Sequence, residues 1–150
     1  MKAITRRAIQ AGKISQSDKL LFTHKADAVN CFGRDIKSLQ QGGTETGRGD
    51  FWVWFPDIDS PEWDNKLVGM TVIYERKKGC SVDADNHLQG QLIANKTHHV
   101  FLKKKIGNKT GYMYHGTFSL DRDQSRAENR AVWVRVSTEA ACYGVDRVVL

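Results

Sequence analysis

Residues 100–120 read VFLKKKIGNKTGYMYHGTFSL, and their pattern decides the fold class. Val100 to Lys105 is apolar, then basic, at strand length. Ile106-Gly107-Asn108-Lys109-Thr110-Gly111 has the turn chemistry of a hairpin, with a glycine toward each side. Tyr112 to Leu120 reads as the returning strand. Strict alternation puts Tyr112, Tyr114, Gly116, Phe118 and Leu120 on one face and Met113, His115, Thr117 and Ser119 on the other.

Working outward, Ala131 to Ser137 is a further strand, with Val132, Val134 and Val136 on one face and Trp133 and Arg135 on the other. Asp121 to Arg130 reads as a polar loop, and Asp85 to Asn95 as a short helix capped by Asp85, with Leu88 and Leu92 one turn apart. Leu67 to Lys77 reads as one strand. So does Phe51-Trp52-Val53-Trp54-Phe55, which stops at Pro56. Both of its faces are bulky, so it is either buried on both sides or meets a ligand on one. Gln41 to Asp50 is a loop with four glycines. Nearer the N-terminus, Asp18 is positioned to cap a turn through Lys19 to Phe22, and Ala26 to Gln40 has near-helical apolar spacing. Residues 138–150 have room for a strand or a helical turn.

These elements predict an α+β fold, a curved antiparallel sheet closed into a barrel-like core with one or two short helices. The 150 residues fit a single domain, with 1–40 a partly helical N-terminal segment and 51–137 the barrel-like core.

No stretch approaches the roughly 20 apolar residues of a membrane span, and no signal-peptide pattern is present. The three cysteines, Cys31, Cys80 and Cys142, are widely spaced and in no CxxC pair. That spacing argues for a reducing, cytoplasmic setting and against a disulfide framework or a zinc knuckle. The sequence leaves the oligomeric state open.

Net charge is +6. Residues 71–110 hold eight Lys and Arg against three acids, a net +5 in forty residues. Such a field attracts polyanions such as DNA or RNA. Arg48, Arg76, Lys77, Lys78, Lys103, Lys104 and Lys105 are the candidate phosphate contacts, and Trp52, Trp54 and Tyr114 the candidate base-stacking residues.

Two other functional readings compete. Pro56-Asp57 followed by Glu75-Arg76-Lys77 matches the bare pattern of the PD-(D/E)xK nucleases, whose two acids hold Mg²⁺ while a lysine helps activate water. No other cofactor is implied. The other alternative is a protein-interaction module docking an acidic partner on the basic face. His115-Gly116-Thr117 resembles half of a two-histidine phosphoesterase pair, but no second His-x-Thr accompanies it. Gly-x-Ser-x-Gly, HExxH, P-loop and dinucleotide signatures are absent, which removes the common enzyme classes that carry them.

The segment 70–119 resembles the SRA-type (SET-and-RING-associated) domains and related pseudobarrels of restriction and modification systems. The residues carrying the resemblance are Val72-Ile73-Tyr74, the loop from Gly79 to Asp85, Asn86-His87-Leu88, His99-Val100-Phe101-Leu102 and Gly111-Tyr112-Met113-Tyr114-His115-Gly116-Thr117-Phe118, with Val132-Trp133-Val134 as the closing strand. The resemblance implies a module binding duplex DNA that reads a modified or extruded base, of restriction/modification or phage-defence type. It does not single out the residues of a base pocket.

Overall fold

The computed structural model describes residues 1–58, 61–79 and 81–145. Its elements are α1 (Ala3–Ala11), β1 (Lys13–Ser15), β2 (Leu21–Phe22), α2 (Lys25–Val29), β3 (Gly43–Glu45), β4 (Trp52–Trp54), β5 (Lys66–Val68), β6 (Val72–Glu75), α3 (Ser81–Ala94), β7 (His98–Ile106), β8 (Lys109–Leu120), α4 (Arg122–Glu128), β9 (Ala131–Ser137) and β10 (Glu139–Ala141). The hairpin expected at residues 100–120 is the spine. β7 and β8 pair from His98↔Phe118 to Ile106↔Lys109 around a tight Gly107-Asn108 turn.

Around that hairpin the main sheet runs β3-β4-β7-β8-β9-β6-β5, with β2 pairing to β8. All pairings are antiparallel except β4–β7, which is parallel. The mixed α+β class and antiparallel-rich sheet are as expected, but the barrel is not. Among the described residues β3 and β5 are edges at opposite ends of the strand order and do not pair, so the sheet stays open.

Period-two alternation divides the interior between the two sheet faces. Val53 and Phe101 point into a core with Phe22, Val29, Phe32 and Tyr114. Their neighbours Trp54, Val100 and Leu102 point the other way, into a core with Ile73, Leu88, Leu92, Phe118 and Trp133. The β4 strand is bulky on both faces because it lies between β3 and β7 and faces a core on each side, with Trp52 only half-buried.

Several local expectations are corrected. Leu67 to Lys77 is a hairpin rather than one strand: Gly69 and Met70 both take positive φ, 59° and 67°, and fold β5 onto β6. The helix expected over Ala26–Gln40 is only Lys25–Val29. Asn30 ends it, accepting from the Ile36 N–H at 2.9 Å and donating to the Ile36 carbonyl at 3.0 Å. Residues 121–130 are not a loop. Asp121 accepts from the Gln124 N–H at 3.0 Å and caps α4. The α3 helix begins at Ser81, ahead of its expected cap Asp85, and Asp18 closes a capping box with Ser15 instead of starting a helix. Cys31 and Cys142 come together in the first core, which the sequence spacing concealed, while Cys80 and residues 146–150 lie outside the described residues.

The first forty residues act as a buttress. β1 pairs with β10, the Cys142 N–H donates to the Gly12 carbonyl at 2.9 Å, and the Tyr143 N–H donates to the Cys31 carbonyl at 3.0 Å. They thereby fix residues 139–143 against the main sheet as the wall of the cavity described next.

Candidate nucleic-acid interface

A cavity of about 460 Å³ opens between that wall, the residues leading into β4, the start of β7 and the ends of β8 and β9. Its volume falls within the range of roughly 300–1,000 Å³ usual for small-ligand sites. Phe51 and Tyr143 supply aromatic surface, Thr97, Thr117, Ser119 and Ser137 hydroxyls, and Asp50 and Glu139 carboxylates. Arg48 stands at the cavity with its guanidinium 3.8 Å over the Tyr143 ring. Apolar walls with a few convergent polar groups can sandwich a planar heterocycle and read its edge.

His99 is held in that cavity's floor. Its ring is stacked between Phe32, centroids 4.7 Å apart, and Phe51, 4.5 Å apart. Its Nδ1 lies 2.8 Å from Thr117 Oγ1, which is 2.7 Å from the Tyr114 hydroxyl. Simple alternation would separate Tyr114 from Thr117. A β-bulge reunites them, because Val100 pairs with Gly116 while Phe101 pairs with Tyr114, leaving His115 as an extra residue on β8. Gly116 makes the bulge with φ of 136°.

Burial drives the His98 pKa down to about 3 and the His99 pKa down to about 4. Both are neutral when folded at pH 7. Unfolded histidines titrate near 6.5. Below that pH the unfolded chain binds more protons, so stability present above pH 6.5 is lost as the pH falls toward about 4. Each histidine contributes a slope of about 1.4 kcal/mol per pH unit in the middle of that window. Urea midpoints at pH 7, 6 and 5 should fall in order, and less steeply in a His98→Phe variant; a flat series would contradict the buried neutral assignment.

The expected phosphate contacts are divided by the topology. Lys103, Lys104 and Lys105 are exposed at the turn end of β7. β9 pairs only with the far half of β8, and β6 runs on from Val72 opposite Val134 to Glu75 opposite Ala131. Arg76, Lys77 and Lys78 therefore emerge at the opposite end of the sheet. Arg48, at the cavity, joins neither group. The ion pairs among the described residues, such as Lys13–Glu139, Lys96–Glu45 and Arg130–Asp64, do not engage Lys103, Lys104 or Lys105.

The stacking candidates are corrected. Trp54 and Tyr114 are buried in the two cores, so neither ring face is open to a base. Trp52 is half-buried and lines a separate cavity with Gln91 and His98 on the other face of the sheet. The rings that do reach the main cavity, Phe51 and Tyr143, were missed. The Phe51 signal was its place beside the glycine-rich loop, and Tyr143 had none, since only tertiary pairing brings it there.

The nuclease trio does not assemble. Asp57 is exposed beside a cavity lined by Phe55, Lys103 and Lys104, toward the turn end of the hairpin. Glu75 is buried at the opposite end of the sheet, where its Oε1 accepts from Trp133 Nε1 at 3.1 Å. His87 Nε2 lies 3.0 Å from the same oxygen, off the hydrogen-bonding direction. Lys77 is exposed, in an isolated bridge with Trp63. Two carboxylates sharing Mg²⁺ must converge, and these do not fit that ion. Among the described residues no group of three or more His, Cys, Asp or Glu is placed to hold a metal.

The site is thus an open antiparallel-rich sheet with a heterocycle-sized cavity against one face and, at its turn end, lysines that make no ion pair among the described residues. The chain belongs to the SET and RING associated (SRA) domain family, whose model matches residues 7–142. Its fold is similar to that of a solved structure described as the 5-hydroxymethylcytosine-specific restriction enzyme AbaSI, with a TM-score of 0.76 at 22% identity. The match covers 95% of this chain and 46% of that one, so the chain spans about half of that enzyme's length. No curated protein matches.

Proposed function

We propose that this domain binds duplex DNA and takes an extruded, modified base into the cavity at Phe51, His99 and Tyr143, serving a cytoplasmic restriction or phage-defence system. The observation that carries the reading is the cavity itself: aromatic walls, four serine and threonine hydroxyls and two carboxylates beside a guanidinium, in a domain of the SRA family. Arg48 contacts the backbone near the extruded nucleotide, while Lys103, Lys104 and Lys105 meet phosphates further along the duplex. The similarity to a restriction enzyme specific for 5-hydroxymethylcytosine supports a modified cytosine as the base. The proposal assigns reading, not strand cleavage, to this domain.

Fluorescence anisotropy with short duplexes carrying one cytosine, 5-methylcytosine or 5-hydroxymethylcytosine tests it. A modified duplex should bind more tightly than the plain one. Neutralising about four phosphates would cost roughly 100-fold in affinity between 50 and 200 mM salt. Equal binding of all three duplexes removes the base-reading function, and salt-independent binding removes the phosphate contacts. An RNA duplex bound as tightly as DNA would replace the assigned partner.

A further inference from the structure

The hydrogens of the Tyr114–Thr117–His99 chain can be counted. Tyr114 is buried at 2% exposure, and its only hydrogen-bond partner among the described residues is Thr117 Oγ1. A phenolic hydroxyl has one hydrogen, which must go there. Thr117 then accepts from Tyr114, and its own single hydrogen points to the other neighbour, His99 Nδ1. A nitrogen that accepts carries no hydrogen, so in a neutral ring the hydrogen sits on Nε2. The reverse tautomer would have Thr117 accept from both sides and leave its own hydrogen without an acceptor. Only the first assignment satisfies every group in this buried chain.

The stack of Phe32, His99 and Phe51 covers both faces of the imidazole and leaves its edge to act. One edge nitrogen is taken by Thr117. The ring lines the cavity, and no hydrogen bond from Nε2 to a described residue competes for it.

We propose that Tyr114 and Thr117 are positioning residues that lock His99 as an Nε2–H donor facing the cavity, so that the site selects a ligand presenting a hydrogen-bond acceptor there, a base carbonyl, ring nitrogen or substituent hydroxyl. This use of the donor rests on the base-reading function above; the tautomer does not. Burial keeps the phenol protonated, its pKa raised to about 12, and the imidazole neutral, so the donor pattern is constant across physiological pH.

Two measurements decide the proposal. In the free protein at pH 7, ¹⁵N-detected imidazole spectra should show His99 with a protonated Nε2 and a bare Nδ1. Tyr114→Phe, which lies outside the cavity lining, should convert this to a mixture of tautomers while circular dichroism stays native. An Nδ1–H tautomer, a charged ring, or a Tyr114→Phe spectrum identical to wild type overturns the relay. For the donor's use, His99→Phe preserves the aromatic stack and deletes the hydrogen. It should weaken binding of the preferred modified duplex about tenfold, the worth of one hydrogen bond at the upper end. Full retention of affinity overturns the donor role. A wild-type protein that does not distinguish the three duplexes would instead remove the base-reading function, with the spectra still deciding the relay.

Discussion

Trp133→Ala is expected to destabilise the domain by about 3–5 kcal/mol, the cost of excavating a large aromatic from a packed core. For a chain of this size that corresponds to a fall of roughly 10–15 °C in melting midpoint. Trp133 is fully buried in β9, with its ring 4.0 Å from that of His98 and 5.6 Å from that of Trp54. It ties β9 to the core under α3, where Leu88 and Leu92 pack. It also solves an electrostatic problem, since its indole N–H is the hydrogen bond to the buried Glu75 carboxylate.

The two roles separate experimentally. Trp133→Phe retains most of the ring and orphans Glu75, which should cost about 1–3 kcal/mol through the unsatisfied acceptor. Combining it with Glu75→Leu should recover part of that loss, because removing both partners of a buried polar pair is cheaper than removing one. Chemical denaturation of the three variants checks this. A Trp133→Ala cost below 1 kcal/mol would contradict the core placement. A double mutant weaker than the sum of its parts would show that Glu75 does something other than receive the indole.

The same residue shows what the sequence could and could not reveal. Val132-Trp133-Val134 was legible as a strand because alternation of β-branched and aromatic residues is a local signal. The β7–β8 hairpin was legible for the same reason, its turn marked by Gly107-Asn108. Failures arose where a single backbone angle or side-chain bond outweighed the pattern. Met70 in a left-handed conformation turned one expected strand into a hairpin. The Asn30–Ile36 pair stopped a helix whose later apolar positions, Phe32, Ile36 and Leu39, pack on the same core from a loop.

The interface was less legible than the fold. Charge can be counted along a chain, but its placement depends on strand direction. Lys103–Lys105 and Arg76–Lys78 read as one basic segment and fold to opposite ends of the sheet. Phe51, His99, Thr117 and Tyr143 come from four separate segments, and Thr117 reaches the cavity face only because the bulge reverses the parity of β8 after His115.

That reversal makes Gly116 the position where stability and the proposed base reading meet. Its φ of 136° lies where residues with a side chain are strained, at a cost of order 1–3 kcal/mol. An added Cβ would also overlap the Arg135 side chain and crowd the Ser137 carbonyl across the sheet. Gly116→Val is therefore expected to lose at least about 2 kcal/mol of stability. The cheapest relief of that strain is to undo the bulge, and register then dictates the functional result. With the bulge gone, Thr117 points away from Tyr114 and His99, and the hydroxyl chain breaks. Binding of plain duplex through Lys103–Lys105 should survive, and preference for a modified base should vanish. Gly90→Ala is the opposing control: this exposed position inside α3 has open space around it, and alanine there should stabilise by roughly 0.5–1 kcal/mol. Denaturation and anisotropy on the two variants give a paired readout. A Gly116→Val protein with wild-type stability and undiminished base preference would mean that the bulge neither needs glycine nor builds the cavity.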